Sequence, residues 1–241
     1  PKSDRFRKVA EQLKESGKAK LVGFSCHDEE LVTYLNHAAE GGFVDAIMIK
    51  YNPFFTKGDE FDQALDRVHD AGIGLICMKE MRPYVNAPKV TPEMEKVGLT
   101  TQQALLHKVW SDKRISAICS KMENVAQIEE NCGASRLFKK PLPAEQIKAL
   151  QKVAMINPVI MCPGCPSCNE GARHTNLAFT DISRYLSYYE QDGDASAREQ
   201  YRRLPAARRR VGSTDLAALR DGCQYKVDYP EIIKRAEQYF G

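Results

Sequence analysis

Short apolar segments alternate with amphipathic segments through the first half of the chain, and this alternation constrains the fold more than any other feature. The apolar segments predict strands at residues 19–25, 44–50, 73–78 and 115–119. Apolar residues repeat with helical spacing between them. This spacing predicts helices at 4–16, 29–40, 59–71, 101–111, 124–131 and 143–155. Apolar strands that alternate with helices predict an α/β fold, built from βα units, with a parallel sheet buried on both faces.

The pattern changes after Pro158, where the strand signals end. Residues 176–203 are predicted to be helical, 204–225 to be a loop, and Pro230 to begin a closing helix, because proline suits an early helical position. We therefore expect two domains, 1–157 and 158–241. The second has few apolar residues for a core, so a metal centre is expected to stabilise it.

Three cysteines, Cys162, Cys165 and Cys168, stand at three-residue intervals among Pro and Gly, in a stretch with no helix or strand period. C-x2-C-x2-C is the run that supplies three thiolates to an iron–sulfur cluster. Zinc sites more often use two well-separated C-x2-C pairs, so zinc is the alternative. The run predicts an iron–sulfur cluster with a fourth ligand elsewhere in the chain.

The bacterial ferredoxin pattern C-x2-C-x2-C-x3-C-P, used twice, indicates that fourth ligand, because each cluster takes three cysteines from one run and the last from the other. The fourth position of the first run is Ala172. Counting back from Cys223 places Ser213, Leu216 and Leu219 at the other positions of the second run. We therefore expect one [4Fe–4S] cluster, and no second one, with the ligands Cys162, Cys165, Cys168 and Cys223.

The other four of the eight cysteines, Cys26, Cys77, Cys119 and Cys132, stand singly in apolar surroundings and are expected to be buried thiols. The chain does not have the pattern of a small disulfide scaffold, so a reducing compartment, the cytoplasm, is expected. Since the chain begins at Pro1, an upstream segment is also expected, and export stays open.

Charge and hydropathy indicate which partners to expect. The net charge of +3 is too small to predict a nucleic-acid partner, and the basic run at 202–210 is interpreted as a solvated loop. No apolar stretch is long enough to predict a membrane span. No G-x-G-x-x-G follows a predicted strand, which argues against a Rossmann nucleotide site.

Residues 17–27, 44–52, 72–79 and 123–131 resemble, in order, the later strands of aldo/keto reductases and the turn after the last of them. Residues 182–205 are similar to the linker helices of the subgroup with a C-terminal ferredoxin-like domain. The resemblance implies a TIM-type (β/α) barrel, of which 1–157 would hold strands five to eight. A small, mainly helical ferredoxin-like domain with the [4Fe–4S] cluster would follow at 158–241.

The same resemblance implies an oxidoreductase that acts on a carbonyl/alcohol pair, with a small carbonyl substrate and NADP(H) or NAD(H). The family's catalytic Asp, Tyr, Lys and His lie on the first four strands, so the catalytic residues of this chain are unknown. An open half barrel would expose the edges of a parallel sheet. We therefore expect an upstream segment or another polypeptide to supply the first half.

Cofactor contacts follow from the resemblance residue by residue. Ser25 matches the serine that binds the nicotinamide carboxamide, and Tyr51 would offer its ring to the nicotinamide. Lys121, Glu130 and Asn131 match the family pattern near strand eight. Four family positions differ, and they are occupied here by Cys26 for Asn, Met48 for Gln, Met122 for Ser and Gln127 for the Arg that holds the 2′-phosphate of NADP.

The residues by themselves leave alternatives open. Tyr51 could be a packing aromatic, Lys121 a solvated lysine, and Glu130 and Asn131 the end of a helical turn. His27 beside Cys26 is the best local candidate for chemistry, against a satisfied loop histidine.

Two further functions also remain open. One is an electron-transfer or scaffold subunit that has lost nicotinamide binding and works with an electron-transfer partner; Met48 and Gln127 favour it. The other is a zinc-stapled binding module.

Overall fold

The structure is a computed structural model that describes residues 3–27, 30–51, 53–54, 57–81, 87–156, 162, 177–212, 214–223 and 227–241. The chain divides into two compact units, 1–151 and 152–241. Their interpretation as a barrel portion and a ferredoxin-like domain stays a prediction. In the described part of the chain, no helix has both the length and the hydropathy that a membrane span requires.

The first unit contains a parallel sheet of four strands in the order β1-β2-β3-β4. The strands are β1 Gly23–Cys26, β2 Ala46–Lys50, β3 Gly74–Met78 and β4 Ile115–Cys119. The predicted α/β class with a parallel sheet is confirmed. Since neighbours in sequence are neighbours in the sheet, the carboxyl ends of all four strands lie along one edge, where α/β proteins place their sites.

Among the described residues, helix α1 Asp4–Glu15 precedes these strands. Six further described helices connect or follow them: α2 Leu31–Gly41, α3 Glu60–Asp70, α4 Pro92–Glu95, α5 Thr101–Trp110, α6 Val125–Leu137 and α7 Ala144–Ile156. Side-chain caps explain several starts: Asp59 accepts from the Asp62 amide, and Thr100 forms a capping box with Gln103. The short helix α4 lies between the predicted strand at 73–78 and the predicted helix at 101–111, where the sequence pattern indicates no element. The cap Thr91 and Pro92 at the helix start account for it.

Strand β1 begins at Gly23, later than the predicted residue 19. Just before it, the Val22 amide donates to the side chain of Asp45 at 2.8 Å, so this amide does not bond to a backbone carbonyl of β2. A Cβ at Gly23 would lie 2.1 Å from the carbonyl oxygen of Ala46. Glycine is therefore required for β1 to approach β2.

The helices cover one face of the sheet. Ile47, Ile49 and Leu75 are fully buried there, together with Leu35 of α2 and Leu65 of α3. These residues occupy alternate positions of each strand, as one side of a pleated sheet requires.

The opposite face is only partly covered. One row of register partners crosses all four strands on that face: Ser25, Met48, Ile76 and Ala117. Ser25 and Ala117 are exposed, and Met48 and Ile76 are partly buried. We call this row the open face. The expectation that both faces are buried is therefore not met in this chain.

The four single cysteines of the first unit differ in burial. Cys26 and Cys77 are buried, as predicted, because they lie on the helix-covered side of β1 and β3. Cys119 and Cys132 are exposed, which corrects the prediction. Cys119 ends the last strand of the sheet, and Cys132 lies on the solvent side of α6.

The second unit is helical where it is described: α8 Phe179–Asp192, α9 Ser196–Arg203, α10 Ala206–Arg209, α11 Leu216–Gly222 and α12 Tyr229–Phe240. The predicted helix over 176–203 is divided because Gly193 adopts a left-handed conformation (φ 68°) and ends α8. The predicted loop at 204–225 contains α10 and α11. Asp215 caps α11 by accepting from two backbone amides.

The core of the second unit is rich in aromatic side chains. Tyr201 of α9 packs against Phe240 of α12 with ring centroids 5.1 Å apart, and Phe179 of α8 packs edge-on against Tyr229 at 4.6 Å. Ile182 and Leu186 of α8 are fully buried between them. Large rings give this small unit much of its buried apolar area.

Candidate functional site

Two of the four predicted cluster ligands meet in the core of the second unit. Cys162 and Cys223 are far apart in sequence, and only 5% and 3% of their surfaces are exposed. The hydroxyl oxygen of Tyr229 lies 3.9 Å from Cys162 Sγ and 3.8 Å from Cys223 Sγ. The two sulfurs therefore lie beside the same hydroxyl group.

Local structure fixes the position of each of these groups. The Cys162 amide donates to Ser183 Oγ at 2.9 Å, and Thr180 Oγ1 lies 3.9 Å from Cys162 Sγ, so α8 holds Cys162 from one side. Cys223 directly follows α11, and its amide donates to the Arg220 carbonyl at 3.1 Å. Tyr229 is the first residue of α12.

These surroundings fit a cluster with thiolate ligands. Both sulfurs are buried and have hydroxyl groups in contact, and a hydroxyl can donate to a thiolate, which only accepts. Cys165 and Cys168 lie outside the described residues. Without them, the described part of the chain contains no group of three or more potential metal-binding side chains.

The predicted loss of a second cluster also has a structural counterpart. Leu219 is buried in the core of the second unit and Leu216 is partly buried against it, so apolar packing occupies these two of the four positions. Ala172 and Ser213 lie outside the described residues.

In the first unit, Ser25 lies on the open face of the sheet, directly opposite Met48 of β2. By the family resemblance these are the positions of the serine and the glutamine that contact the nicotinamide. Cys26 points to the buried side, and His27 follows it, partly buried, at the carboxyl end of β1. The structure therefore places Ser25 and Met48 side by side on neighbouring strands.

Tyr51 is placed differently. Only 2% of its surface is exposed, and its hydroxyl donates to Asp112 Oδ2 at 2.8 Å. Burial, followed by the negative charge of Asp112, raises the pKa of Tyr51 far above its ordinary value. This geometry favours the packing role, and contact with a nicotinamide stays a prediction.

Asp112 belongs to a charged network that sequence analysis did not identify. Arg114 donates to Asp112 at 2.8 Å and also contacts Asp62 at 2.8 Å and Asp66 at 2.6 Å. Burial by itself would raise the pKa of Asp112, but hydrogen bonds from Arg114 and Tyr51 outweigh it and hold the pKa at about 2. The sequence gives only a weak local signal for this network, because only the fold brings α3, the end of β2 and the turn before β4 together.

The remaining predicted cofactor residues lie after β4. Lys121 is exposed, and its ammonium pairs with Glu123 at 2.9 Å. Glu130 and Asn131 are partly buried in α6, where the Glu130 carbonyl accepts from Gln103 Nε2 at 3.1 Å. Their part in cofactor binding stays a prediction.

Gln127, which stands where the family has its phosphate-binding arginine, takes part in capping α6. Its amide donates to Asn124 Oδ1 at 3.0 Å, and its side-chain oxygen accepts from the Glu123 amide at 2.6 Å. The position is therefore occupied by a group that stabilises the helix start.

Glu80 is a further candidate that sequence analysis missed. It follows β3 at the carboxyl edge of the sheet and only 2% of it is exposed. The Ser120 hydroxyl donates to Glu80 Oε1, while Oε2 is buried without a hydrogen-bond partner. Burial raises the pKa of this carboxyl group, so Glu80 holds its proton more tightly than an exposed glutamate does.

The backbone before Glu80 adds a second sign of a functional position. Lys79 has φ 65°, a left-handed conformation that is uncommon outside glycine. Such strain is frequent near active sites, although it does not by itself identify one.

Comparison with known proteins finds similarity among solved structures. No protein-family profile matches the chain, and no curated protein matches it. Among solved structures, the chain is similar to a crystal structure of a thermostable aldo-keto reductase in complex with the inhibitor epalrestat, with 18% sequence identity and a TM-score of 0.34. The match covers 62% of this chain and 66% of that one, so this chain spans just under two thirds of that structure's length. A similarity at this level does not bear on cofactor, substrate or cluster.

Proposed function

We propose that this chain is part of an aldo/keto-reductase-like oxidoreductase that binds one [4Fe–4S] cluster through Cys162, Cys165, Cys168 and Cys223. The main support is the meeting of Cys162 and Cys223, both buried, at the hydroxyl of Tyr229. Their order in the sequence matches the ferredoxin ligand pattern.

At this site the protein would bind the cluster, exclude water from it and polarise its sulfur ligands. When bound, a [4Fe–4S] cluster supplies one-electron transfer chemistry. The four cysteines would bind it as thiolates, α8 and α12 would exclude water, and the hydroxyls of Tyr229 and Thr180 would donate toward the sulfurs. With one cluster and no second centre, electrons would pass directly to a neighbouring redox group or to an electron-transfer partner.

For the first unit we propose nicotinamide binding at the carboxyl edge of the open face. A bound NADP(H) or NAD(H) supplies the hydride for a carbonyl/alcohol pair. Ser25 would bind the carboxamide, and Lys121, Glu130 and Asn131 would hold the nucleotide end. The acid that protonates the carbonyl oxygen would lie on strands other than the four that the structure describes.

The partner that fits this unit is a set of further βα units. Exposed apolar side chains occur before β1 and after β4 in the chain: Val9 and Leu21, with exposed fractions of 44% and 68%, and Val125 and Ile128, with 68% and 45%. Exposed apolar groups at sheet edges are characteristic of interfaces. Since a (β/α) barrel has eight strands, four more strands would cover both edges and the open face.

The cluster is tested by anaerobic purification of the chain with iron and sulfide supplied. We expect a brown protein whose visible absorbance bleaches with dithionite. Cys223→Ser should lose most of the iron, whereas the matched control Cys132→Ser should keep it, because Cys132 is exposed on α6. A colourless protein with one zinc per chain would instead support the zinc-stapled module.

A second candidate is an electron-transfer or scaffold subunit that does not bind nicotinamide. The burial of Tyr51 against Asp112 and the capping role of Gln127 favour it. Titration of the chain with NADPH and NADH by calorimetry decides between the two. Saturable binding that is lost in Ser25→Arg, with the fold retained, supports the reductase, and no heat at millimolar cofactor supports the second candidate.

A further inference from the structure

Tyr229 occupies an unusual position in the core of the second unit. Its side chain is 1% exposed, and its hydroxyl lies between the sulfurs of Cys162 and Cys223. It is the only described tyrosine whose hydroxyl is within hydrogen-bonding distance of two cysteine sulfurs.

The position of this hydroxyl is fixed by structure around it. Asp228 caps α12 by accepting from the Glu231 amide at 3.3 Å, and Pro230 restricts the first turn. The Tyr229 ring packs edge-on against Phe179 at 4.6 Å with an interplanar angle of 67°. The hydroxyl therefore cannot turn toward solvent without disrupting the start of the helix.

Between a hydroxyl group and a thiolate, only the hydroxyl group can donate the hydrogen bond. Thiolate sulfur can only accept, and a phenol has a proton to donate. A hydrogen bond to a ligand sulfur stabilises the state with more negative charge, which for a cluster is the reduced state. Donation from Tyr229 would therefore make the reduction potential more positive.

We propose that Tyr229 is a positioning residue that sets the reduction potential of the cluster by donating a hydrogen bond to its ligand sulfurs. This inference rests on the proposed [4Fe–4S] site. Thr180 contributes a second hydroxyl, 3.9 Å from Cys162 Sγ, but contacts only that ligand. The Tyr229 hydroxyl has one hydrogen to donate, and it is placed to donate it to either of two ligand sulfurs.

The experiment is a redox titration of the iron-loaded chain, monitored by electron paramagnetic resonance, for the wild type, Tyr229→Phe and Tyr201→Phe. Tyr201 is the matched control, because it is also a buried tyrosine of the second unit, and its ring packs against Phe240 and beneath the guanidinium of Arg209. We expect equal iron content in all three, a more negative midpoint potential in Tyr229→Phe, and no shift in Tyr201→Phe. An unchanged potential in Tyr229→Phe with full iron content overturns the inference.

A second substitution keeps the test decisive if Tyr229→Phe does not hold the cluster. Replacement of Tyr229 by 3-fluorotyrosine keeps the ring and gives a more acidic hydroxyl, hence a stronger donor. The expected result is a midpoint potential more positive than that of the wild type, and the absence of a shift contradicts the inference. If the wild type itself binds no cluster, the proposed function fails instead, and the iron analysis shows this before any titration.

Discussion

Asp112 is the residue whose ionisation contributes most clearly to folding. Its pKa of about 2 lies below the ordinary 3.8, since hydrogen bonds from Arg114 and Tyr51 outweigh the effect of burial. A lowered pKa means that the folded state binds the proton less tightly than the unfolded state. The stabilisation is therefore present above pH 4 and lost as the pH falls toward 2.

The variant Asp112→Asn tests this contribution. Unfolding by urea, followed by the fluorescence of Trp110 in the first unit, should show a loss of about 2 kcal/mol at pH 7. The difference from the wild type should shrink as the pH falls from 4 toward 2. A difference that stays constant over that range would mean that the carboxylate charge is not responsible.

Ionisation of Glu80 is expected to destabilise the folded state, whereas ionisation of Asp112 stabilises it. Burial raises its pKa, so the folded state binds the proton more tightly. The favourable contribution is complete below the ordinary pKa of 4.5 and is lost as the pH rises through the folded-state pKa.

Glu80→Gln keeps an acceptor for Ser120 but cannot ionise. We expect its melting temperature to exceed that of the wild type at pH 8, with the difference disappearing near pH 4. Glu129→Gln, at an exposed position of α6, is the control and should follow the wild-type profile. Equal profiles for Glu80→Gln and the wild type would contradict a raised pKa of Glu80 in the folded state.

Among the elements, the contact between β1 and β2 depends on one glycine. A Cβ at Gly23 would lie 2.1 Å from the Ala46 carbonyl oxygen, whereas at Gly74 of β3 the nearest atom would be 3.6 Å away, an ordinary contact. Gly23→Ala should therefore lower the free energy of unfolding by about 1–3 kcal/mol, because the strands must separate. Gly74→Ala is the matched control and should cost clearly less in the same urea titration; equal losses would contradict this account of the strand contact.

Element by element, the sequence predicted the parts with strong periodicity. The strand at 115–119 has the predicted bounds, and all four predicted strands occur. Strand β1 is shorter because the Asp45 side chain binds the Val22 amide, which no local pattern indicates. Helix α11 was missed because it begins from a capping aspartate, Asp215, in a stretch too short to show a period.

The candidate site was predictable to the extent that it is local. The cysteine run can be recognised from its spacing, and Cys223 from a pattern known for ferredoxins. Tyr229 and Ser183 could not be chosen in this way, because only the packing of α8 and α12 brings them to Cys162. The same holds for Glu80 and Ser120, which follow different strands of the sheet.

At the scale of the whole molecule, the two units are expected to depend differently on metal. The first has a sheet and a helix-covered apolar core, while the second is a small helical unit whose core includes Cys223. Because metal binding to a small unit contributes to its folding, removal of iron should destabilise the second unit selectively. Helical circular dichroism should show an earlier transition in the metal-free chain, whereas Trp110 fluorescence should report an unchanged transition in the first unit; two identical transitions with and without metal would contradict this.

The account as a whole depends most on the identity of the metal centre. Mössbauer spectroscopy of the chain loaded with ⁵⁷Fe, together with iron and sulfide analysis, measures it directly. The account predicts four irons and four sulfides per chain, with the spectrum of a [4Fe–4S] cluster that is lost in Cys223→Ser. A single iron or zinc without sulfide, or a cluster that Cys223→Ser retains in full, would contradict it.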